Sequence, residues 1–173
     1  MPIVLVGMIG SGKSTIGRKL ARKLDLKFYD SDKILEERVG LSIVDIHDFM
    51  GTKYFLEIEE QVIKEVLSYG VVVLSTGGNS LMNQNIRESI KKNAVSIWLN
   101  SSLETLYSRI IKRNNTRPEL IGSNDKKDLL KKLLMEREPI LKCADIEIGS
   151  DTETYLLVNE IIEKLSQFLK NKA

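Results

Sequence analysis

Near the amino terminus, three residue types occur at a spacing that suits phosphate binding. The sequence reads Gly7, four further residues, and then Gly12, Lys13 and Ser14. Glycines let the backbone turn tightly enough for successive N–H groups to converge on an anion, and the following helix directs the positive end of its dipole at that anion. The lysine of such a loop reaches the β- and γ-phosphates of a nucleoside triphosphate, and the serine hydroxyl binds the accompanying Mg²⁺.

The residues on either side of this loop supply the structural context that it requires. Ile3 to Val6 form an apolar run typical of a buried strand, and Ile16, Leu20 and Leu24 recur afterwards at helical spacing. The alternative is a glycine-rich turn that joins a strand to a helix and binds nothing. Because that alternative needs both the spacing and its context to arise by chance, we favour a phosphate-binding loop.

Candidate catalytic groups follow two further predicted strands. Asp30 and Asp32 stand at the end of the second strand, and Gly77 and Gly78 follow the third. Ligands of open α/β sheets bind at the carboxyl ends of the strands, so both groups are expected to face the triphosphate. One carboxylate can hold metal-bound water while the other orients the attacking hydroxyl. The alternatives are helix N-capping by the aspartates and a tight turn at the glycines.

Composition narrows the class of protein and of partner. The 173 residues are 42% hydrophobic and 29% charged, with a net charge of +2, which is typical of one globular domain rather than a dedicated nucleic-acid binder. Cys143 is the only cysteine, so we expect a reducing cytoplasm and a small core residue near a strand. No apolar run approaches membrane-spanning length, and no basic segment precedes the first apolar run. We therefore expect a cytoplasmic monomer that acts on small molecules, with no membrane or nucleic-acid partner.

Short apolar runs alternate with helical patterns along the chain. The runs are continuous rather than alternating, as expected for parallel strands covered on both faces; they lie at 3–6, 27–30, 71–76, 95–99 and 145–148. Helical periodicity is clearest at 81–92, 103–113 and 126–138, and in an apolar stripe from Val158 to Leu169. This alternation predicts an α/β fold with a parallel sheet.

Two stretches interrupt the alternation. Residues 31–69 carry only helical signals, which leaves room for a small helical insertion over the sheet edge. Residues 112–128 are polar and contain Pro118 and Gly122, the composition of a mobile loop. Such a loop beside a phosphate site often closes on the ligand, although it could also be a solvated connection.

Taken in order, six short motifs resemble the shikimate kinase family. They read GMIGSGKST, FYDSD, GLSIVDI, STGG, TRP and EREP. The first motif is shared by many nucleotide-binding proteins, whereas the ordered set of six is specific to the family.

The resemblance implies Mg-ATP-dependent phosphorylation of the shikimate 3-hydroxyl in chorismate and aromatic amino-acid biosynthesis. It also implies a fold similar to the nucleoside monophosphate kinases, with three α/β/α layers around a five-stranded parallel sheet. A single kinase domain would divide into a core (1–30, 70–111 and 125–173), a substrate-binding insertion (31–69) and a lid (112–124).

The resemblance further implies roles for individual residues. Those around the ATP phosphates would be Gly10, Ser11, Gly12, Lys13, Ser14 and Thr15. Ser14 would bind Mg²⁺, which Asp30 would support through water. Asp32 would orient the shikimate hydroxyls, with Gly77 and Gly78 beside the substrate. Lys13, Asp32 and Arg117 are the expected catalytic residues, Arg117 reaching ATP from the lid. Arg137 would bind the shikimate carboxylate, a task that suits the planar guanidinium fork.

Departures from the family pattern cluster on the acceptor side. Leu56 stands where the family has a second carboxylate-binding arginine, and losing such a contact costs about 1.5 to 3 kcal/mol. His47, Thr52 and Asn79 replace the usual phenylalanine, glutamate and glycine. Two alternatives therefore stand beside shikimate phosphorylation: a related kinase with another hydroxyl acceptor, and a nucleotide-binding protein without catalysis. Arg109 and Arg113 are both candidates for contact with adenine.

Overall fold

The computed structural model describes residues 1–113 and 118–172. Its strands are β1 (Ile3–Val6), β2 (Phe28–Asp30), β3 (Val73–Ser75), β4 (Val95–Asn100) and β5 (Ile146–Gly149). Its α-helices are α1 (Lys13–Leu24), α2 (Ser31–Val39), α3 (Ile43–Asp45), α4 (Gly51–Leu67), α5 (Gln84–Asn93), α6 (Leu103–Lys112), α7 (Lys126–Leu141) and α8 (Thr154–Lys172). A π-helical turn, Ile46–Met50, joins α3 to α4, and two 3₁₀ turns lie at Ser80–Met82 and Pro118–Leu120.

All five strands form one parallel sheet in the order β2-β3-β1-β4-β5. The predicted α/β class and parallel sheet are therefore confirmed. The first strand of the chain lies in the centre, so the loop that follows β1 emerges between the ends of β3 and β4. This arrangement brings the phosphate loop beside the residues that end β2 and β3.

Apolar clusters cover both faces of the sheet. On one face α1 and α8 pack on the strands through side chains such as Leu20 and Ile161. On the other face α4, α5 and α7 contribute Ile63, Ile90 and Leu141, together with Trp98 of β4, which is 1% exposed. These two layers of helices hold the sheet rigid, and that rigidity keeps the ends of its strands at fixed separations.

Strand β5 departs from the continuous pattern expected of it. Ile146 and Ile148 are buried, whereas Glu147 and Gly149 are exposed, so its side chains alternate. The reason is its place at the edge of the sheet, where Ile146 and Ile148 pack in the same cluster as Leu157 and Ile161 of α8.

The predicted helix at 81–92 is in fact two elements. A 3₁₀ turn ends at Met82, and α5 begins at Gln84, because the side chain of Asn83 accepts a hydrogen bond of 2.9 Å from the backbone N–H of Asn85. This N-cap fixes a new helix start.

Cys143 is exposed, so the expectation of a core cysteine is wrong. It lies in the turn between α7 and β5, where the chain passes over the surface. Elsewhere in the described ranges, the helices are all too short or too polar to cross a membrane.

Helices α2, α3 and α4 form a separate small cluster beyond the edge strand β2. Leu35, Ile43, Ile46 and Phe55 are its buried centre. These helices lie within residues 31–69, and the division of the chain there into a substrate-binding insertion stays a prediction. The helices place one wall over the carboxyl ends of β2 and β3.

Candidate active site

Residues 7–12 form a loop whose backbone conformation depends on glycine. Gly10 and Gly12 have φ angles of 80° and 89°, in the left-handed region that other residues rarely adopt. Helix α1 begins at Lys13, and Gly12 has no side chain with which to cap its first N–H groups. Those N–H groups and the helix dipole are directed at the inside of the loop, the geometry that binds a phosphate.

Lys13 folds back over this loop. Its ammonium group donates hydrogen bonds of 2.8 Å to the carbonyl oxygens of Gly7 and Met8, and the residue is 8% exposed. These bonds hold one positive charge at the mouth of the anion site. The position suits a group that neutralises transferring phosphate oxygens.

Ser14 and Asp30 form a pair that fits Mg²⁺. The hydroxyl of Ser14 donates a 2.5 Å hydrogen bond to Oδ2 of Asp30. Asp30 also caps α2 by accepting from the backbone N–H of Lys33, so capping and metal support are compatible. Mg²⁺ prefers oxygen ligands and keeps several waters, so one hydroxyl and one carboxylate suffice beside phosphate oxygens. No cluster of three or more His, Cys, Asp or Glu side chains that could hold a metal occurs in ranges 1–113 and 118–172.

Two cavities meet at this end of the sheet. The first, which we call the phosphate cavity, is lined by the loop, Asp30, Thr76 and two arginines of α6 and its end, Arg109 and Arg113. The second, the acceptor cavity, is lined by residues of the helical insertion, the turn after β3 and the second 3₁₀ turn. Asp32 and Gly78 line both cavities.

Asp32 is 8% exposed and lies in the first turn of α2. A Cβ atom built on Gly77 would stand 3.0 Å from its Oδ1 atom, so the turn after β3 packs directly on the carboxylate. A Cβ atom on Gly78 would stand 2.8 Å from Cγ1 of Ile9 in the phosphate loop. Glycine at 78 therefore lets the acceptor side approach the phosphate side closely.

Glu59 of α4, which the sequence patterns did not single out, is 1% exposed and lines the acceptor cavity. Burial raises the pKa of its carboxyl to about 7, a hydrogen bond from Ser80 opposes the rise, and the nearby carboxylates of Asp32 and Glu119 add to it. Within the described residues its Oε2 atom has no hydrogen-bond partner. A signal existed, because Glu59 lies on the apolar face of α4, four residues after Phe55 and four before Ile63.

Arg137 of α7 is 3% exposed. One guanidinium nitrogen, Nη1, donates a 3.1 Å hydrogen bond to the carbonyl of Gly78, and Nη2 lies 4.0 Å from Oε1 of Glu119. Burial lowers the pKa of this guanidinium, while the charges of Glu119 and Glu136 oppose the change. Arg137 thus supports the turn that separates the two cavities.

The family departures have distinct positions. The ring of His47 stacks on Phe55 with centroids 4.2 Å apart, and both His47 and Asn79 line the acceptor cavity. Leu56 instead packs on the cluster around Phe55. Thr52 is exposed.

The candidates for adenine contact are not separated by the geometry. Arg109 and Arg113 both line the phosphate cavity. Arg109 donates to the carbonyls of Gly10 at 3.2 Å and Ser150 at 3.0 Å, which ties α6 to the loop. Arg117, the predicted lid arginine, lies outside the described residues.

A phosphate loop, an adjoining hydroxyl and carboxylate pair, and a second cavity joined to the first through a carboxylate together define a phosphate-loop kinase. Comparison with known proteins narrows this class. Residues 9–166 match the family model described as shikimate kinase. The shikimate kinase of Sulfurihydrogenibium sp. is 40% identical over 95% of this chain and 98% of its own length. That of Rhodopseudomonas palustris is 37% identical over 97% of this chain and 82% of its own length.

Solved structures also place the chain beside shikimate kinases. The shikimate kinase of Acinetobacter baumannii, in complex with shikimate, has a TM-score of 0.87 and 30% identity, covering 99% of this chain and 93% of that one. A gluconokinase of Sinorhizobium meliloti, at 21% identity and a TM-score of 0.61, covering 98% of this chain and 94% of its own, shares the fold alone. The chain belongs to the shikimate kinase family, whose members are ATP-dependent kinases with a hydroxyl acceptor.

Proposed function

We propose that this protein transfers the γ-phosphoryl group of Mg-ATP to the 3-hydroxyl of shikimate. The observation that carries the proposal is the position of Asp32, whose side chain lines both the phosphate cavity and the acceptor cavity. A hydroxyl held in the acceptor cavity would meet this carboxylate on its way to the γ-phosphorus. The shikimate-bound relative from Acinetobacter baumannii supports shikimate as the acceptor.

The residues of the phosphate cavity then have the following tasks. The loop residues Gly10 to Thr15 bind the phosphates, and Lys13 neutralises the charge that develops on them. Ser14 and Asp30 would hold Mg²⁺, which when bound shields the charge between the β- and γ-phosphates. Arg117 is proposed to contact ATP from the lid, as the sequence predicts.

Asp32 accepts a hydrogen bond from the attacking hydroxyl and takes its proton as the new O–P bond forms and the bond to the β-phosphate oxygen breaks. Gly77 and Gly78 bring their backbone close to the acceptor, and Arg137 binds its carboxylate. Positioning and charge neutralisation supply most of the rate in phosphoryl transfer, and these groups provide both. ADP and the phosphorylated acceptor are the products.

A second candidate is a kinase of the same family whose acceptor is another hydroxy compound. Leu56 packs inside the helical insertion rather than offering a positive charge, while Glu59 and Glu119 face the acceptor cavity. Both features reduce the attraction for a carboxylate. ADP release measured with a panel of polyols and sugar acids as acceptors distinguishes the two candidates.

The remaining alternative is a protein that binds nucleotide without catalysis, and it requires ATP binding with no transfer to any acceptor. The monomeric state and the cytoplasmic location stay predictions from composition.

The direct test is ADP release by the purified protein with Mg-ATP and millimolar shikimate. We expect stoichiometric, shikimate-dependent ADP formation, and its absence would contradict the proposal. Asp32→Asn keeps the shape but cannot take the proton, so kcat is expected to fall about 100- to 10,000-fold. ATP affinity, measured by calorimetry, should stay within about threefold because Asp32 does not form the loop. Asp48→Asn, an exposed carboxylate of the same insertion, is the matched control and should leave both unchanged.

A further inference from the structure

The 3₁₀ turn Pro118–Leu120 carries Glu119, whose carboxylate lies near Arg137, the arginine that is proposed to bind the acceptor. Oε1 of Glu119 lies 4.0 Å from Nη2 of Arg137, and the two side chains are 26% and 4% exposed. The described residues that line the acceptor cavity include Glu119 but not Arg137. Glu119 therefore lines the cavity and lies within ion-pair distance of the guanidinium.

The charges around the acceptor cavity make the contact between Glu119 and Arg137 important for the binding of a carboxylate acceptor. Asp32, Glu59 and Glu119 all line the cavity, and the charges of Asp32 and Glu119 both act on the Glu59 carboxyl. A carboxylate that enters the cavity is repelled by the negative charges of Asp32 and Glu119. With Leu56 packed into the insertion cluster, Arg137 is the positive group on which a carboxylate acceptor most depends.

The backbone that carries Glu119 is anchored, so its side chain is the part that can move. Leu120 is 1% exposed and packs in one cluster with Ile9 and Leu130. This contact holds the turn against the phosphate loop and α7. The Glu119 side chain is 26% exposed, so a change of rotamer can carry its carboxylate from Arg137 towards solvent.

We propose that Glu119 is a specificity-determining residue that competes with the carboxylate of the acceptor for Arg137. This inference rests on the proposed function, since it presumes a carboxylate acceptor. Binding of that acceptor requires the Glu119 side chain to leave Arg137, which lowers affinity for a carboxylate and leaves affinity for a neutral acceptor unaffected. The competition is between charges, so removing the charge of Glu119 without changing its size should relieve it.

Glu119→Gln makes that change at a partly exposed position. We expect it to bind shikimate up to about fivefold more tightly by calorimetric titration, with ATP affinity unchanged. Affinity for the methyl ester of shikimate, which has no carboxylate charge, should not change. The matched control is Glu136→Gln, since Glu136 also acts electrostatically on Arg137 but is exposed on α7 and does not line the cavity.

A double variant locates the effect. In the background of Arg137→Met the gain from Glu119→Gln should vanish, because the competitor and its target are both gone. Should Arg137→Met fail to fold, Arg137→Lys serves as a second background, in which the gain should persist in part.

The outcomes separate this inference from the proposed function. Unchanged or weaker shikimate binding by Glu119→Gln, or an equal gain for the methyl ester, overturns the inference while shikimate turnover by the unsubstituted protein upholds the function. Shikimate binding by Glu119→Gln alone supports the inference and contradicts the proposed acceptor. Binding by neither protein overturns both.

Discussion

The two cavities of this protein are built in different ways. The phosphate cavity is lined by the glycine-rich loop and the first residues of α1, together with groups from β2, the end of β3 and α6, such as Asp30, Thr76 and Arg109. The acceptor cavity depends on side chains from distant elements, among them Asp32, Glu59 and Glu119. Backbone N–H groups supply much of a phosphate site, alongside side chains such as Lys13, whereas a site built from side chains alone can change its ligand by single substitutions. Two of the family departures, His47 and Asn79, line the acceptor cavity.

The two sites nevertheless share a wall. Gly78 approaches Ile9 so closely that a Cβ atom would collide with it, and the carbonyl of Gly78 is held by Arg137. The charge that would bind the acceptor therefore also positions the turn beside the phosphate loop. This shared wall is what lets one carboxylate, Asp32, serve both cavities.

The largest expected effect comes from a substitution in the phosphate cavity that should lower catalysis and leave binding in the acceptor cavity unchanged. Lys13→Met removes the buried ammonium group, and we expect kcat to fall about 100- to 1,000-fold because phosphate charge is no longer neutralised. Shikimate affinity by titration should change less than about threefold. Lys19→Met, at an exposed position of α1, is the control. Activity within about tenfold of the unsubstituted protein would show that Lys13 has no such role.

The acceptor side should in turn have its own dependence on pH. The pKa of Glu59 rises from 4.5 to about 7 in the folded protein, a difference worth about 3 kcal/mol. Because a raised pKa favours the protonated folded state, this contribution is complete below about pH 4.5 and is lost as pH rises through about 7. Asp32 and Glu119 are the other carboxylates that act on this group.

Glu59→Gln should remove this dependence. The free energy of unfolding, measured in denaturant at pH 5 and pH 8, should fall less between those values in the variant than in the unsubstituted protein. The variant should also be the more stable protein at pH 8, because no charge is buried there. Glu57→Gln, an exposed change on the same helix, should leave the dependence intact. Identical pH profiles for Glu59→Gln and the unsubstituted protein would contradict the prediction.

The smallest expected effect comes from restoring the family charge. Leu56→Arg places a guanidinium three residues before Glu59, near enough on one helix face to pair with it. We expect shikimate affinity to rise about tenfold, with no matching gain for neutral polyols. Leu56→Met, of similar size and without charge, is the control for lost packing. A kinase whose acceptor lacks a carboxylate would gain nothing from the change.

The sequence predictions were more accurate for the phosphate cavity and the sheet than for the acceptor cavity. The five strands and the start of α1 were confirmed because local apolar runs and a glycine pattern specify them. The alternating burial of β5 and the exposure of Cys143 were not foreseen, since the first depends on a neighbour distant in the chain and the second on the course of a turn. The break at Asn83 was missed although its cause, an N-cap to Asn85, is local. Glu59 was missed although its place on an apolar helix face was readable. The role of Arg117 stays a prediction.

Sequence alone determined the phosphate loop, the parallel sheet and the family, because each is encoded by short spacings that act through local backbone geometry. Tertiary structure decided what surrounds the acceptor. Only folding buries Glu59 beside Asp32, brings Glu119 to Arg137 and packs Leu56 against the cluster of the helical insertion. These are contacts between residues far apart in the chain, and their strength depends on burial, which removes the water that would otherwise screen the charges.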